Sequence, residues 1–377
     1  MSASVNHEVM PKKRFEFLDG IRGWAALIVV FGHTMVGVIA LDAPDFVHQI
    51  YLKFITHAYL SVMIFFVLSG YVLSISQILT TKRNLAITTV ARYFRLLIPV
   101  FVVTVIAYLF LKMGFFYNVE SSTTEEAKSW LGRFYTFSPD IIDALRFAFF
   151  DTFFNYDGQH TYNSSLWTMP VEMMGSILIY SYIAIFRVMD KIYWLVAAVL
   201  VVYFYNVSPY MFCFMAGYML AELKIRQRNF TNGITQVLLV LLFIGVIFYD
   251  TFNRPATDQG NCLEAVILIF CISYSQPLMH FFSNSFSKYL GRISFSLYLI
   301  QIVVICSWSS YLRIHLPAYG FGIYVDAIIN LISTIAICIG FAHLLTPVDI
   351  AAVKYSKIIA RKILYIKTGE TKPVEIG

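Results

Sequence analysis

Apolar residues in this chain come in long runs separated by short polar stretches, with little of the period-two alternation that marks half-buried strands. Ten runs can be traced: Ile21–Leu41, His57–Leu79, Phe94–Phe115, Leu166–Phe186, Ile192–Val207, Ser208–Leu223, Ile234–Phe248, Cys262–Met279, Ile293–Leu312 and Phe321–Leu345. Most match the ~20 residues that an α-helix needs to cross the hydrocarbon core of a bilayer. The pattern predicts an all-α membrane protein, a polytopic bundle of about ten transmembrane helices. The fifth and sixth runs are shorter and meet at Pro209, so two spans and one re-entrant hairpin both fit. Either outcome leaves the orientation of the other runs unchanged.

Composition sharpens the solvent assignment. The chain is 59% hydrophobic and 13% charged, with mean hydropathy +0.70, against about 25% charged in a soluble domain. A net charge of +6 raises nucleic acid as a partner. The basic residues, however, sit in small clusters between apolar runs, which is the pattern of membrane edges, and nucleic acid is set aside. With the N-terminus inside, 21 of the 28 lysines and arginines fall in inner segments, among them Lys12, Lys13, Arg14, Lys82, Arg83, Arg187, Lys191 and Arg228. The other 7 fall outside. Both termini are then cytoplasmic and the protein is a multi-pass protein of the plasma (inner) membrane. The first run lacks a small-residue cleavage site, so it is expected to stay as the first span. Residues 1–353 form one transmembrane domain, and residues 354–377 a basic cytoplasmic tail whose apolar spacing suits a helix along the inner leaflet. The outer loop from Phe116 to Ser165 is the only long one. Its aromatic clusters, Phe147–Phe150 and Phe153–Tyr156, suit either the membrane interface or a sugar face. The five cysteines are scattered through apolar runs without metal-ligand spacing and read as core, so no metal is expected.

A few polar groups stand inside or at the edge of the apolar runs. Arg22 and His33 are eleven residues apart, so they leave one face of a helix with a rise of roughly 16 Å between them. His33 then sits near the middle of a ~30 Å hydrocarbon core, where an ionisable group is costly and marks a functional-site hypothesis. A neutral buried histidine can take a proton from a hydroxyl and pass it on, or it can simply bond between helices. Asp19 and Arg22 are one turn apart, which suits an orientation signal with a surface ion pair or an anion site. Arg92 and Arg95 repeat that spacing, as ordinary edge charge or as a phosphate clamp. Glu172 enters the fourth run two residues after Pro170, which is expected to bend the helix there. The depths of Glu172 and His33 differ by only roughly 5 Å at 1.5 Å per residue, so a histidine–carboxylate pair is feasible. Ser69 belongs to a Ser-Gly pair that serves packing first and lining second. Ser294, Tyr298 and Gln301 recur at helical spacing as a polar stripe. The sequon-like Asn163-Ser164-Ser165 is placed in the outer loop.

Five of these stretches occur in a telling order: LDGIRGWAALIVVFGH, FFVLSGYVLS, RYFRLLIP, SLWTMPVE and GRISFSLYLIQ. Together, over residues 15–345, they resemble the acyltransferase-3 family of integral membrane acyltransferases. The resemblance implies an O-acyltransferase that moves an acyl group, commonly acetyl from acetyl-CoA, onto a hydroxyl of a glycan or other acceptor. It carries the family's first-span arginine and histidine onto Arg22 and His33, its RxxR pair onto Arg92 and Arg95, and its motif glutamate onto Glu172. On this reading coenzyme A binds from the cytoplasm on Arg22, Arg92 and Arg95, with Asp19 beside them. His33 acts as general base or briefly carries the acyl group, and Glu172 orients its imidazolium. Ser69, Trp167, Tyr298 and Gln301 line the substrate. The partners implied are membrane lipid, a coenzyme A thioester, and a carbohydrate or other hydroxyl acceptor arriving from outside. Two departures touch acceptor handling: Met173-Met174 follows Glu172, and Gln301 stands where many members have histidine. Buried ionisable groups also suit a proton-coupled secondary transporter, although no inverted repeat is evident to support it.

Overall fold

The computed structural model describes residues 15–49, 52–78, 84–186, 189, 192–226, 232–255 and 257–368. The leader through Arg14, the basic residues Lys82, Arg83, Arg187, Lys191 and Arg228, and residues 369–377 of the tail lie outside the described residues. Each of the ten apolar runs is helical over most of its described residues, and no strand occurs among the described residues. The helices are α1 (Glu16–Gly37), α2 (Ala58–Ile78), α3 (Leu85–Lys112), α4 (Thr168–Phe186), α5 (Ile192–Val207), α6 (Pro209–Arg226), α7 (Gly233–Asn253), α8 (Asp258–Tyr274), α9 (Ser285–Val304) and α10 (Ile323–Thr368). Among the described residues, seven spans are long and apolar enough to cross a membrane, and α8 with the helix Gln276–Phe282 makes an eighth if counted as one bent span. The chain is an all-α polytopic membrane protein.

Several boundaries differ from the apolar runs for identifiable reasons. Helix α3 starts nine residues before the predicted Phe94, because the Asn84 side chain accepts from Ile87 N and caps a turn that the apolar scan skipped. The run Cys262–Met279 breaks at Ser275 with a 99° bend, where Pro277 opens a new short helix. Pro170 does not kink α4: it lies in that helix's first turn, where a missing N–H is tolerated. Helix α9 runs on through a π-helical turn at Ile305–Ser309 and the helix Ser310–His315. Helix α10 continues unbroken past Pro347 and Lys354 to Thr368.

Between membrane helices the lipid chains are as apolar as leucine, so close packing rather than exclusion from water holds a bundle together. Here α1 lies along α9 and α2, α2 along α6, and α3 along α10. The first crossing is set by glycine. A Cβ on Gly23 would overlap the Gly291 backbone of α9, and one on Gly291 would overlap the Asp19 carbonyl. That contact fixes Arg22 and, three turns on, His33 against α9.

The long connection between α3 and α4 is not a free surface loop. Asn118 is fully buried and donates to the carbonyls of Leu131 and Phe134, both at 2.8 Å. From Ile141 to Phe154 short helical pieces run along α3, with Phe149 against Phe101 at 5.5 Å and Phe153 against Tyr93 at 5.1 Å. Phe147 and Phe153 point inward, while Ile142, Phe149, Phe150 and Phe154 form an outward apolar face. Tyr93 and Phe101 both belong to α3, so this face lies alongside a membrane-length helix rather than beyond its end. Asn163, placed in that loop from sequence, is fully buried and donates to the Leu299 carbonyl at 2.6 Å.

If the glycine crossing organises the bundle, Gly23→Leu should lower stability by about 3 kcal/mol through overpacking. Gly340→Leu, where a Cβ meets nothing within 4 Å, should leave it unchanged. Thermal unfolding of the two variants in detergent checks this.

Candidate active site

The polar side chains fall into two groups at different depths along α1. The deeper group centres on His33, whose ring is half-buried. Its Nδ1 lies 3.2 Å from Oε1 of Gln301, one helix away on α9. Gln301 is fully buried, and its Nε2 donates to Ser165 Oγ at 3.5 Å. An amide oxygen can only accept, so this contact is made by the tautomer that carries the His33 proton on Nδ1. The second ring nitrogen, Nε2, makes no hydrogen bond among the described residues and keeps its lone pair. Trp130, from the α3–α4 connection, packs on the imidazole with centroids 5.5 Å apart. One turn from Gln301, the Tyr298 hydroxyl donates to the Ser165 carbonyl at 2.8 Å and lies 3.1 Å from Thr168 Oγ1. The start of α4 is thereby pinned to α9 in the interior, at the depth of His33.

That placement moves Glu172. The expected histidine–carboxylate pair assumed a fourth helix starting at the membrane surface. Because α4 is anchored at Ser165 beside Gln301, Glu172 lies seven residues further on, about 10 Å along the helix and away from His33. Its carboxylate accepts from Ser69 Oγ at 2.7 Å and from Arg92 Nη2 at 2.5 Å. Arg92 Nε donates in turn to Ser176 Oγ at 2.9 Å. Glu172 thus forms an ion pair with the first arginine of the RxxR stretch, and His33 pairs with an amide.

The second group holds the cations. Arg95 lies within electrostatic reach of Asp349, Arg92 and Arg22, and its Nη2 is 3.9 Å from Asp349 Oδ1. Arg22 meets Asp19 at 3.6 Å. The three arginines expected to act together do share one end of the bundle. They are not equivalent. Arg92 is locked by Glu172 and Ser176 with its side chain 13% exposed, while Arg95 is 39% exposed and loosely held. Trp167 stands apart from both groups, edge-on to Phe66 and Tyr210 at 6.3 and 5.8 Å.

Four contributors were missed from sequence. Ser165 and Thr168 lie inside a quoted motif but carry no spacing signal of their own. Trp130 comes from a connection with no periodicity. Asp349 lies four residues past the last apolar run, on the stretch of α10 that continues beyond Leu345, so no apolar-run signal marked it. The five cysteines are buried and free, in keeping with the core reading.

A family profile described as an acyltransferase domain, that of the acyltransferase-3 family, matches residues 15–345. Among curated proteins, the O-acetyltransferase PaAT-1 of Phomopsis amygdali is 22% identical over 359 residues, covering 76% of this chain and 71% of that protein. No solved structure matches.

The Arg92–Glu172 pair makes a stability prediction. Removing one partner of a buried ion pair leaves an uncompensated charge, so Arg92→Ala should cost about 3 kcal/mol. Adding Glu172→Gln should recover part of that loss. A double-mutant cycle by thermal unfolding reads the coupling.

Proposed function

The chain belongs to the acyltransferase-3 family and is a multi-pass membrane acyltransferase, and from that premise we propose that it transfers an acetyl group from cytoplasmic acetyl-CoA to a hydroxyl of a glycan or other acceptor at the opposite face of the plasma membrane. The observation that carries this reading is the His33–Gln301 contact. It leaves a neutral imidazole with a free Nε2 at mid-depth, roughly 16 Å along α1 from Arg22. Supporting the acetyl assignment is the similarity to an O-acetyltransferase. Supporting a cytoplasmic donor is the excess of basic residues in the segments at the arginine-bearing end.

In this mechanism the arginine end binds the phosphates of coenzyme A. Arg95 and Arg22 contact them, since both are partly exposed, and guanidinium matches phosphate oxygens bidentately. Glu172 and Ser69 hold Arg92 in place as positioning residues. The pantetheine arm then runs inward and delivers the thioester to His33. Nε2 accepts the proton of the acceptor hydroxyl as its oxygen attacks the thioester carbonyl. The carbon–sulfur bond breaks, and the imidazolium returns the proton to the departing thiolate, giving an ester and free coenzyme A. Gln301 fixes the tautomer and orientation of the ring without adding charge. The acceptor reaches this point beneath the α3–α4 connection, where Trp130 covers one side of the ring. Thioester turnover needs no gradient, and family membership favours this chemistry over the transporter weighed from sequence.

His33→Ala should lower kcat by a factor on the order of 10²–10⁴ while the protein stays folded in the membrane. Release of free thiol by purified protein supplied with acetyl-CoA and acceptor measures it, and wild-type turnover by that variant would end the mechanism. Arg95→Ala should act differently, raising KM for acetyl-CoA about tenfold with little change in kcat.

A further inference from the structure

A second polar centre lies where α7 ends and α8 begins, and the acyl-transfer mechanism does not use it. A groove of about 610 Å³ runs between these helices, lined in part by Leu242, Val246, Tyr249, Leu263, Glu264 and Ile267. Glu264 is 5% exposed, and neither of its carboxylate oxygens has a hydrogen-bond partner among the described residues. Two more buried oxygens share that condition, Oδ2 of Asp250 and Oδ1 of Asn261. Asn261 is one turn before Glu264 on the same face of α8. Asp250 is close enough for the two carboxylates to repel.

The donors nearby are engaged elsewhere. His57 Nδ1 meets the other Asp250 oxygen at 2.6 Å. Arg254, which lies within electrostatic reach of Glu264, gives Nη2 to the Lys53 carbonyl and forms no ion pair with that carboxylate. Asn261 spends its Nδ2 on the carbonyls of Pro255 and Thr257. All four orphaned atoms are acceptors, and the two that belong to the groove's wall are those of the Glu264 carboxylate, which lacks a donor. Beside a buried carboxylate a charged donor is favoured, because an unpaired buried anion is among the most expensive groups a fold can hold. The groove is far larger than a bare ion, and no group of three or more His, Cys, Asp or Glu among the described residues is arranged to hold a metal. Asn253 and Thr257 line its loop end, and Leu242, Val246, Leu263 and Ile267 make the rest of its wall apolar. Helix α7 is the least buried of the spans and faces outward, so the groove opens toward surrounding lipid. Gly245 lines it, and a Cβ there would meet nothing within 4 Å.

We propose that this groove binds one aminophospholipid, with its primary ammonium group donating to Glu264 and an acyl chain lying along Leu242, Val246, Leu263 and Ile267. The groove's size, its apolar stretch and the unpartnered Glu264 carboxylate are each met by that chemistry. Phosphatidylcholine lacks the N–H donors and phosphatidylglycerol lacks the cation.

The test uses the full-length protein in nanodiscs of phosphatidylcholine, with phosphatidylethanolamine or phosphatidylglycerol added. Retained lipid is read by native mass spectrometry and stability by thermal unfolding. Phosphatidylethanolamine should be retained about tenfold more tightly than the other two and should raise the unfolding temperature. E264Q, which removes the charge, and G245F, which fills the groove without touching the carboxylate, should both abolish that preference. Acyl transfer at His33 should persist in both variants, so failure here is separable from failure of the acyltransferase mechanism. Equal retention of the three lipids by the wild type, or an unchanged preference in E264Q, overturns the proposal and leaves Glu264 a protonated interior acid. Competition by soluble ethanolamine separates the headgroup's contribution from the chain's; no competition together with loss of preference only in G245F would assign binding to the chain and also overturn it.

Discussion

Everything at the centre of this protein depends on how closely α1 can approach α9. Gly23 of α1 and Gly291 of α9 remove the side chains that would hold the two helices apart, and Gly20 does the same against the Phe282 backbone just before α9. In a bilayer no exclusion from water draws helices together, so such backbone proximity is itself the source of association. Its consequence reaches several turns away, where the same two helices bring His33 onto Gln301. A histidine held by an amide, rather than by a carboxylate, stays neutral and keeps one nitrogen free. The identity of the partner therefore sets the chemistry that the ring can do.

The second organising constraint is the interior start of α4. Tyr298 and Gln301 hold Ser165 at the level of His33, and the chain then runs toward the arginine end. Glu172 is thereby delivered to Arg92. A guanidinium and a carboxylate in one low-dielectric place each lower the cost of burying the other. This leaves Arg95 and Arg22 as the more available cations of the cluster. The two groups are held on shared helices, so the distance between the cation cluster and the imidazole is fixed by helix geometry rather than by loops. Such rigidity suits a long substrate that must present its reacting end at one depth and its charge at another.

The helices were legible because a membrane forces each span to satisfy its own backbone, and unbroken apolar runs leave few alternatives. The motifs in the first, third, fourth and ninth runs point to His33, Arg22, Arg92, Arg95, Glu172 and Gln301 from the sequence alone. The pairing among them was not legible. A depth counted from the start of each apolar run fails for α4, whose first turn lies inside the bundle. The role of Trp130 was equally hidden, since it comes from a connection whose fold depends on tertiary burial of residues such as Asn118 rather than on any local period. Pro170 misled for a similar reason: a proline bends a helix only from within, and here it stands in the first turn.

The most direct test of the central claim is the tautomer of the His33 ring, read by ¹⁵N NMR of histidine-labelled protein, with the signal assigned by its loss in His33→Ala from among the eight histidines. The account predicts a neutral ring with the proton on Nδ1 and an unprotonated Nε2, and a change in that signal when Gln301 is replaced by leucine. A proton found on Nε2 in the resting protein, or a ring indifferent to Gln301, would contradict it.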